Sequence, residues 1–280
     1  MDRSSGNRFS WIFAHIFLGI GALFVLFPLL WMLILSTNNR TKVYEFPPPV
    51  LPGGALFDNF QRLIDSIPYF TALWNSVYVA VFNTVLVLFV CSFAGYGFSR
   101  YKDAPGRKWL FYLVVASIMI PPLAGLIPWF LLMKWLGWLN TLWPMIIPPA
   151  ANAFGVFWMY QFITEAIPAE IYESSKIDGA SDWKVYYRIV LPLIRPGMGA
   201  LAVLTFITSW QNFQIPLIVL NEESKFTIPL ALANLTTLIS GTDVPAVMLG
   251  TSISILPIFI AFVLGTRHFI AGLTSGAVKS

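Results

Sequence analysis

Six long stretches without a single Asp, Glu, Lys or Arg dictate what this chain can fold into: residues 11–35, 74–99, 109–133, 141–164, 197–221 and 244–266. Each exceeds the ~20 residues that a helix rising 1.5 Å per residue needs to cross a ~30 Å hydrocarbon layer. A chain that is 57% hydrophobic and 11% charged, with a mean hydropathy of +0.73, cannot hide that much apolar surface in one water-soluble core. Closed barrels are the other structure that lipid tolerates, but they need segments of about ten alternating residues, and these runs are longer and continuously apolar. The sequence therefore predicts an all-α membrane protein with six transmembrane helices.

An even number of spans puts both termini on one side, and the basic residues choose it. Twelve of the 17 Lys and Arg fall at the termini or in the loops after the second and fourth runs, among them Arg3, Arg8, Arg100, Lys102, Arg107, Lys108, Lys176, Lys184, Arg188, Arg195, Arg267 and Lys279. The other side holds five: Arg40, Lys42, Arg62, Lys134 and Lys225. That bias predicts a multi-pass membrane protein with both termini and the 165–196 loop in the cytoplasm. It also accounts for the net charge of +4 without nucleic acid as a partner. The first run is too long for a secretory signal and lacks a small-x-small cleavage pattern, so it reads as a retained helix. The lone cysteine, Cys91, lies inside an apolar run, which excludes an intrachain disulfide or a thiolate metal site and suits small-residue packing.

Between the first two runs, residues 36–73 carry Pro47-Pro48-Pro49 and Pro52-Gly53-Gly54 and read as an extended external loop, with a short surface helix over 63–73 interrupted by Pro68. Residues 226–240 are apolar but too short for a seventh span, and read as a re-entrant or surface-lying outer segment.

The loop 165–196 is polar and patterned. Pro168 suits a first helical turn, Glu170 and Glu173 sit toward the positive end of that helix, and Lys176 follows Glu173 by one turn. Asp178-Gly179 breaks it, since glycine takes up the left-handed conformation of a reversal. Ser181 or Asp182 can cap a second helix running to about Val190, which Leu191-Pro192 ends before the membrane is re-entered at Gly197. Read from its residues alone, such a helix-turn-helix is either an ordinary amphipathic loop resting on the headgroups or a docking element. Ser174 and Ser175 are small enough for it to sink into another protein's cleft.

The order Glu173-Ser174-Ser175, Asp178-Gly179-Ala180, Ile189-Val190-Leu191-Pro192 resembles the Glu-Ala-Ala, Asp-Gly-Ala, Ile-x-Leu-Pro signature in the membrane subunits of binding-protein-dependent ABC importers, with serines in place of both alanines. Asn75-Ser76, Tyr96-Gly97-Phe98-Ser99-Arg100, Pro105-Gly106-Arg107-Lys108, Trp210-Gln211-Asn212-Phe213 with Pro216, and Gly272-Leu273-Thr274-Ser275-Gly276-Ala277-Val278-Lys279 resemble the carbohydrate-uptake branch, in particular the second permease of maltose-type importers. The resemblance runs from the first span to the C-terminus. It implies a type I ABC importer permease fold with a cytoplasmic coupling helix, a homologous second permease, two ATP-binding subunits and an extracytoplasmic sugar-binding protein. The residues implied in ATPase coupling are Glu173, Ser174, Ser175, Asp178, Gly179, Ala180, Leu191 and Pro192, and the C-terminal tail would also reach toward the ATPases. ATP and Mg would be held by those partner subunits, with no cofactor bound by this chain, which has no phosphate-loop sequence of its own.

For the passage of substrate, Thr205, Thr208, Ser209 and Asn212 are spaced i, i+3, i+4, i+7 in the fifth run, with Trp210 and Gln211 beside them and Asn152 in the fourth run. Neutral hydrogen bonders with an aromatic face suit a sugar; the same residues also serve to pack membrane helices together. Tryptophans near run ends, such as Trp31, Trp74, Trp109 and Trp143, read as interfacial anchors. His15 is the only ionisable side chain of Asp, Glu, Lys, Arg or His type in the runs, which disfavours an ion-coupled carrier. A membrane enzyme would require clustered carboxylates, paired histidines or a nucleophile with its base, and no such cluster is seen. A sugar is the expected cargo, with glycerol-phosphate-type or polyol substrates as the alternative.

Overall fold

The computed structural model describes residues 4–237 and 242–277, with the side chains of 4–9, 169, 176, 237 and 266–277 outside the description. Among these residues all regular structure is helical: α1 (Ser4–Ser36), α2 (Leu56–Ser66), α3 (Tyr69–Arg100), α4 (Arg107–Ser117), α5 (Leu126–Trp135), α6 (Trp143–Ile146), α7 (Ala153–Ala166), α8 (Ala169–Ile177), α9 (Asp182–Val185), α10 (Leu191–Leu193), α11 (Arg195–Trp210), α12 (Gln214–Val219), α13 (Ile228–Thr237) and α14 (Val244–Ala277).

Among the described residues, three helices are long and apolar enough to cross a membrane: Ser10–Ser36, Tyr69–Arg100 and Val244–Gly265, of 27, 32 and 22 residues. Up to five do so if each of two bent pairs counts as one span. Of the six runs expected to be helices, the third, fourth and fifth are interrupted. In the third run Pro121-Pro122 separates α4 from the helical stretch Pro122–Trp135, with a bend of 98°. In the fourth, Pro148-Pro149 forms a 3-10 turn and the chain restarts at Asn152, leaving α7 only 14 residues, about 21 Å. In the fifth, α11 stops at Trp210 and α12 starts at Gln214. Each break has one cause: proline supplies no amide to the turn before it.

Contacts divide the chain into two compact units, one built from residues up to Tyr69 with Ala231–Ile255, the other from Phe70–Leu230 with the segment from Leu256 onward. In the first, the segment after α1 is not extended, contrary to its proline content, because polar side chains fold it onto its own backbone. Asn59, fully buried, donates to the Ser36 carbonyl at 2.7 Å and the Asn38 carbonyl at 3.0 Å. Its own carbonyl accepts from Arg62, whose Nε reaches Asp243 at 2.8 Å. Gly53 passes so close to Thr37 that a Cβ would lie 2.6 Å from the Thr37 carbonyl oxygen. The short helix expected over 63–73 is instead two elements: α2 ends at Ser66, Pro68 interrupts, and Tyr69 already belongs to α3. Asn59→Ala should lower stability by ~2 kcal/mol by stranding two buried carbonyls. Thermal unfolding in detergent checks this, and an unchanged midpoint would contradict it.

In the second unit α3 crosses α7 at close range. A Cβ on Gly95 would lie 2.8 Å from the Tyr160 amide nitrogen, and one on Gly155 would lie 2.7 Å from Cys91 Sγ. Cys91 is buried in that crossing, its thiol donating to the Asn152 carbonyl at 3.4 Å, in the packing role its small size suggests. Asn75 and Ser76, near the start of α3, hold the segment ahead of α13. Asn75 Nδ2 donates to the Ser224 and Phe226 carbonyls, and Ser76 Oγ accepts the Ile228 amide at 2.7 Å. The ten described residues of α13 fall short of the ~20 needed to cross a bilayer. Asn140, left-handed at φ 56°, accepts the amides of Asn221 and Glu222 and donates to the Glu222 carboxylate at 2.7 Å. Lys225 and Asn140 together hold the Glu222 carboxyl below its ordinary pKa.

Candidate functional site

The loop 165–196 folds as a helix-turn-helix. After α7, Ile167 is extended and Pro168 leads into α8, with Glu170 in the first turn. The helix ends in a Schellman stop: Gly179 is left-handed at φ 68°, and the Ala180 amide bonds the Ser175 carbonyl at 3.0 Å, satisfying an otherwise orphaned acceptor. Of the two residues proposed to cap the second helix, Ser181 does so, its Oγ accepting the Lys184 amide at 3.4 Å.

That second helix does not end at Leu191-Pro192 as its sequence suggests. A π-helical turn over Tyr186–Val190 joins α9 to α10, and the helix continues through Pro192 to Leu193. The widened turn and the absent Pro192 amide belong together, because proline has no i to i−4 bond to lose there. The bend, 76°, falls instead between Leu193 and Arg195, just ahead of Pro196.

The loop's residues separate into two faces. Glu173, Ser174, Asp178, Gly179 and Pro192 are exposed, Ala180 and Leu191 are half-buried, and Ser175 is buried. Ser175 Oγ donates to the Tyr172 carbonyl at 2.8 Å and Ser174 Oγ to the Ile171 carbonyl at 3.2 Å, so both hydroxyls that replace alanine methyls are satisfied within the helix. Sequence reasoning passed over Ile177. It is 87% exposed beside the left-handed glycine, an apolar knob at the tip of a polar reversal. Its signal was available: a large aliphatic residue that no core position claims. Between the two limbs, Ile171, Ser175, Ala180, Val185, Arg188 and Ile189 line much of a cleft of about 240 Å³.

The loop is seated on the end of α3. Phe93 meets Tyr186 edge-on at 5.4 Å, Tyr186 shares a hydrogen bond of 2.7 Å with Ser92, and Arg100 lies 5.1 Å over the Tyr172 ring. Asp182 accepts from Arg100 Nε at 3.3 Å and from the Tyr101 hydroxyl, and its main-chain carbonyl accepts the Tyr96 hydroxyl at 3.2 Å. The bond to Asp182 raises the Tyr101 phenol above its ordinary pKa, while burial raises those of Tyr172 and Tyr186.

The residues expected along the substrate path are not one stripe. Thr205, Thr208, Ser209 and Trp210 belong to α11, but Gln211 caps its end, and the Asn212 side chain opens the next segment by accepting the Ile215 amide at 3.2 Å. Pro216 explains the interruption, because a continuing helix would need its missing N–H for the Asn212 carbonyl. Thr205 and Trp210 are buried, Trp210 stacked on Phe206 at 5.8 Å. Thr208 Oγ1 returns to the Leu204 and Thr205 carbonyls at 3.0 Å each, and Gln211 is exposed. Asn152 caps α7, accepting the Gly155 amide at 2.7 Å. The Gly272–Lys279 motif lies outside the described residues in its side chains and, from Val278, in its backbone too.

Residues 87–274 match the model of the family described as binding-protein-dependent transport system inner membrane component. The match takes in the second half of α3, the helix-turn-helix and the chain up to the last turn of α14, and the chain belongs to that family. It is 34% identical over 262 residues to the lactose transport system permease protein LacG of Rhizobium radiobacter, covering 94% of each chain. It is also 34% identical over 282 residues to the arabinooligosaccharides transport system permease protein AraQ of Halalkalibacterium halodurans, covering 100% of each. In fold it is similar to a chain of a bacterial ABC transporter involved in the import of the acidic polysaccharide alginate, with a TM-score of 0.81, 24% identity, and coverage of 96% of this chain and 99% of that one.

Proposed function

We propose that this chain is the second permease of an ATP-driven sugar importer. It crosses the inner membrane six times with both termini in the cytoplasm, pairs with a homologous permease, receives sugar from an extracytoplasmic binding protein, and is moved by two ATPase subunits docked on the 165–196 loop. The broken third, fourth and fifth runs each complete a crossing with their flanking short helices. ATP and Mg are held by the ATPases, and this chain is not an enzyme. The observation that carries the reading is the exposed reversal at Ile177–Gly179, an apolar knob on a left-handed glycine, which suits insertion into a partner's groove better than rest on charged headgroups. Similarity over the whole length to lactose and arabinooligosaccharide permeases favours a sugar over a polyol or a glycerol phosphate. The neutral residues of α11 and Asn212 remain the proposed path, reached once the bundle opens around Trp210. Purification from membranes through a tag on this chain tests the assembly: an ATPase and a second permease should accompany it, and recovery of the chain alone would refute the reading.

A further inference from the structure

We infer that Asp182 is the positioning residue through which motion of the loop reaches α3. Chain connectivity ties the loop to α7 and α11, which must follow it. The tie to α3, 82 residues earlier in sequence, is wholly non-covalent. Asp182 stands at the first position of α9, where an acidic residue would ordinarily be explained by the helix dipole. Ser181 already provides the cap, and the Asp182 carboxylate is turned instead to α3, where it accepts from Arg100 Nε at 3.3 Å and from the Tyr101 hydroxyl. Its main-chain carbonyl takes the Tyr96 hydroxyl, so three side chains from one end of α3 converge on one residue. Arg100 also lies over Tyr172 of α8, which binds that end of α3 to both limbs of the reversal.

Such an arrangement transmits in both directions. Charge-assisted hydrogen bonds resist separation, and the Phe93–Tyr186 contact resists compression. With Asp182 half-exposed, the charge pair adds little to stability, so its removal should disturb transmission more than folding. The inference rests on the ATPase-driven reading given above.

The test uses the complete transporter in proteoliposomes, with the ATPases, the partner permease and the binding protein, and reads ATP hydrolysed per sugar imported. Asp182→Asn should raise that ratio about tenfold, within the range of coupling factors between linked sites. Asp182→Glu, which keeps a carboxylate acceptor for Arg100 and Tyr101, should hold the ratio within about threefold of wild type. An unaltered ratio in Asp182→Asn, or an equal rise in Asp182→Glu, would overturn the inference. Absence of an ATPase from the wild-type complex would instead overturn the reading beneath it, and the inference with it.

Discussion

Gly179→Val should leave the protein inserted and folded while lowering sugar uptake roughly tenfold. A Cβ placed at Gly179 meets no atom within 4 Å, so the substitution does not collide with the chain's own packing. Its cost is conformational: φ of +68° is a region that β-branched residues avoid, and leaving it shifts the native reversal by ~1–2 kcal/mol, a roughly 5- to 30-fold fall in its population. Because Ile177 rides on that reversal, a docking surface is lost rather than a core. Gly179→Asn is the informative companion, since asparagine tolerates the left-handed region and should retain most uptake. The amount of protein in the membrane, ATP hydrolysis and uptake together decide it. Equal uptake in the valine variant would count against the docking role, and equal loss in both variants would point to bulk rather than backbone.

Gly95→Leu should be far more damaging and act through the fold. The Cβ alone would lie 2.8 Å from the Tyr160 amide nitrogen and 3.0 Å from Met159 Cβ, and the obstructing backbone belongs to α7, whose neighbours Met159 and Ile163 are fully buried. Overpacking against backbone falls at or above the upper end of such costs, roughly 3 kcal/mol, and α3 cannot move away without dragging its contacts with the loop. The expected result is loss of monodisperse protein in detergent and disappearance from the membrane. A variant that behaves as wild type in size-exclusion chromatography would show that the α3–α7 crossing is looser than described.

The parts legible in the sequence were those governed by one strong physical rule. The absence of charge over 11–35, 74–99 and 244–266 marked the three long helices, and Gly179 marked the reversal, because membrane solvation and left-handed backbone leave few alternatives. The broken runs were not legible, since proline inside an apolar stretch is ambiguous. Pro28 and Pro257 lie within unbroken α1 and α14, where a single missing amide is absorbed. Pro121-Pro122 and Pro148-Pro149 remove adjacent amides, and Pro216 follows an asparagine able to start a new helix; these break the chain. Spacing placed Thr205 and Asn212 on one stripe only by assuming helix through Gln211. The role of Asp182 was hidden differently, because two adjacent residues could cap α9. Only the geometry assigns the cap to Ser181 and frees the carboxylate for Arg100 and Tyr101.

Coupling to ATPases requires the reversal to face the cell interior. Because Cys91 is the sole cysteine and is buried, a Cys91→Ser background carrying Asp178→Cys presents one thiol at that exposed site. A membrane-impermeant maleimide should leave this thiol unmodified in intact spheroplasts and label it in inside-out vesicles. Labelling from the outside of intact spheroplasts would contradict the account.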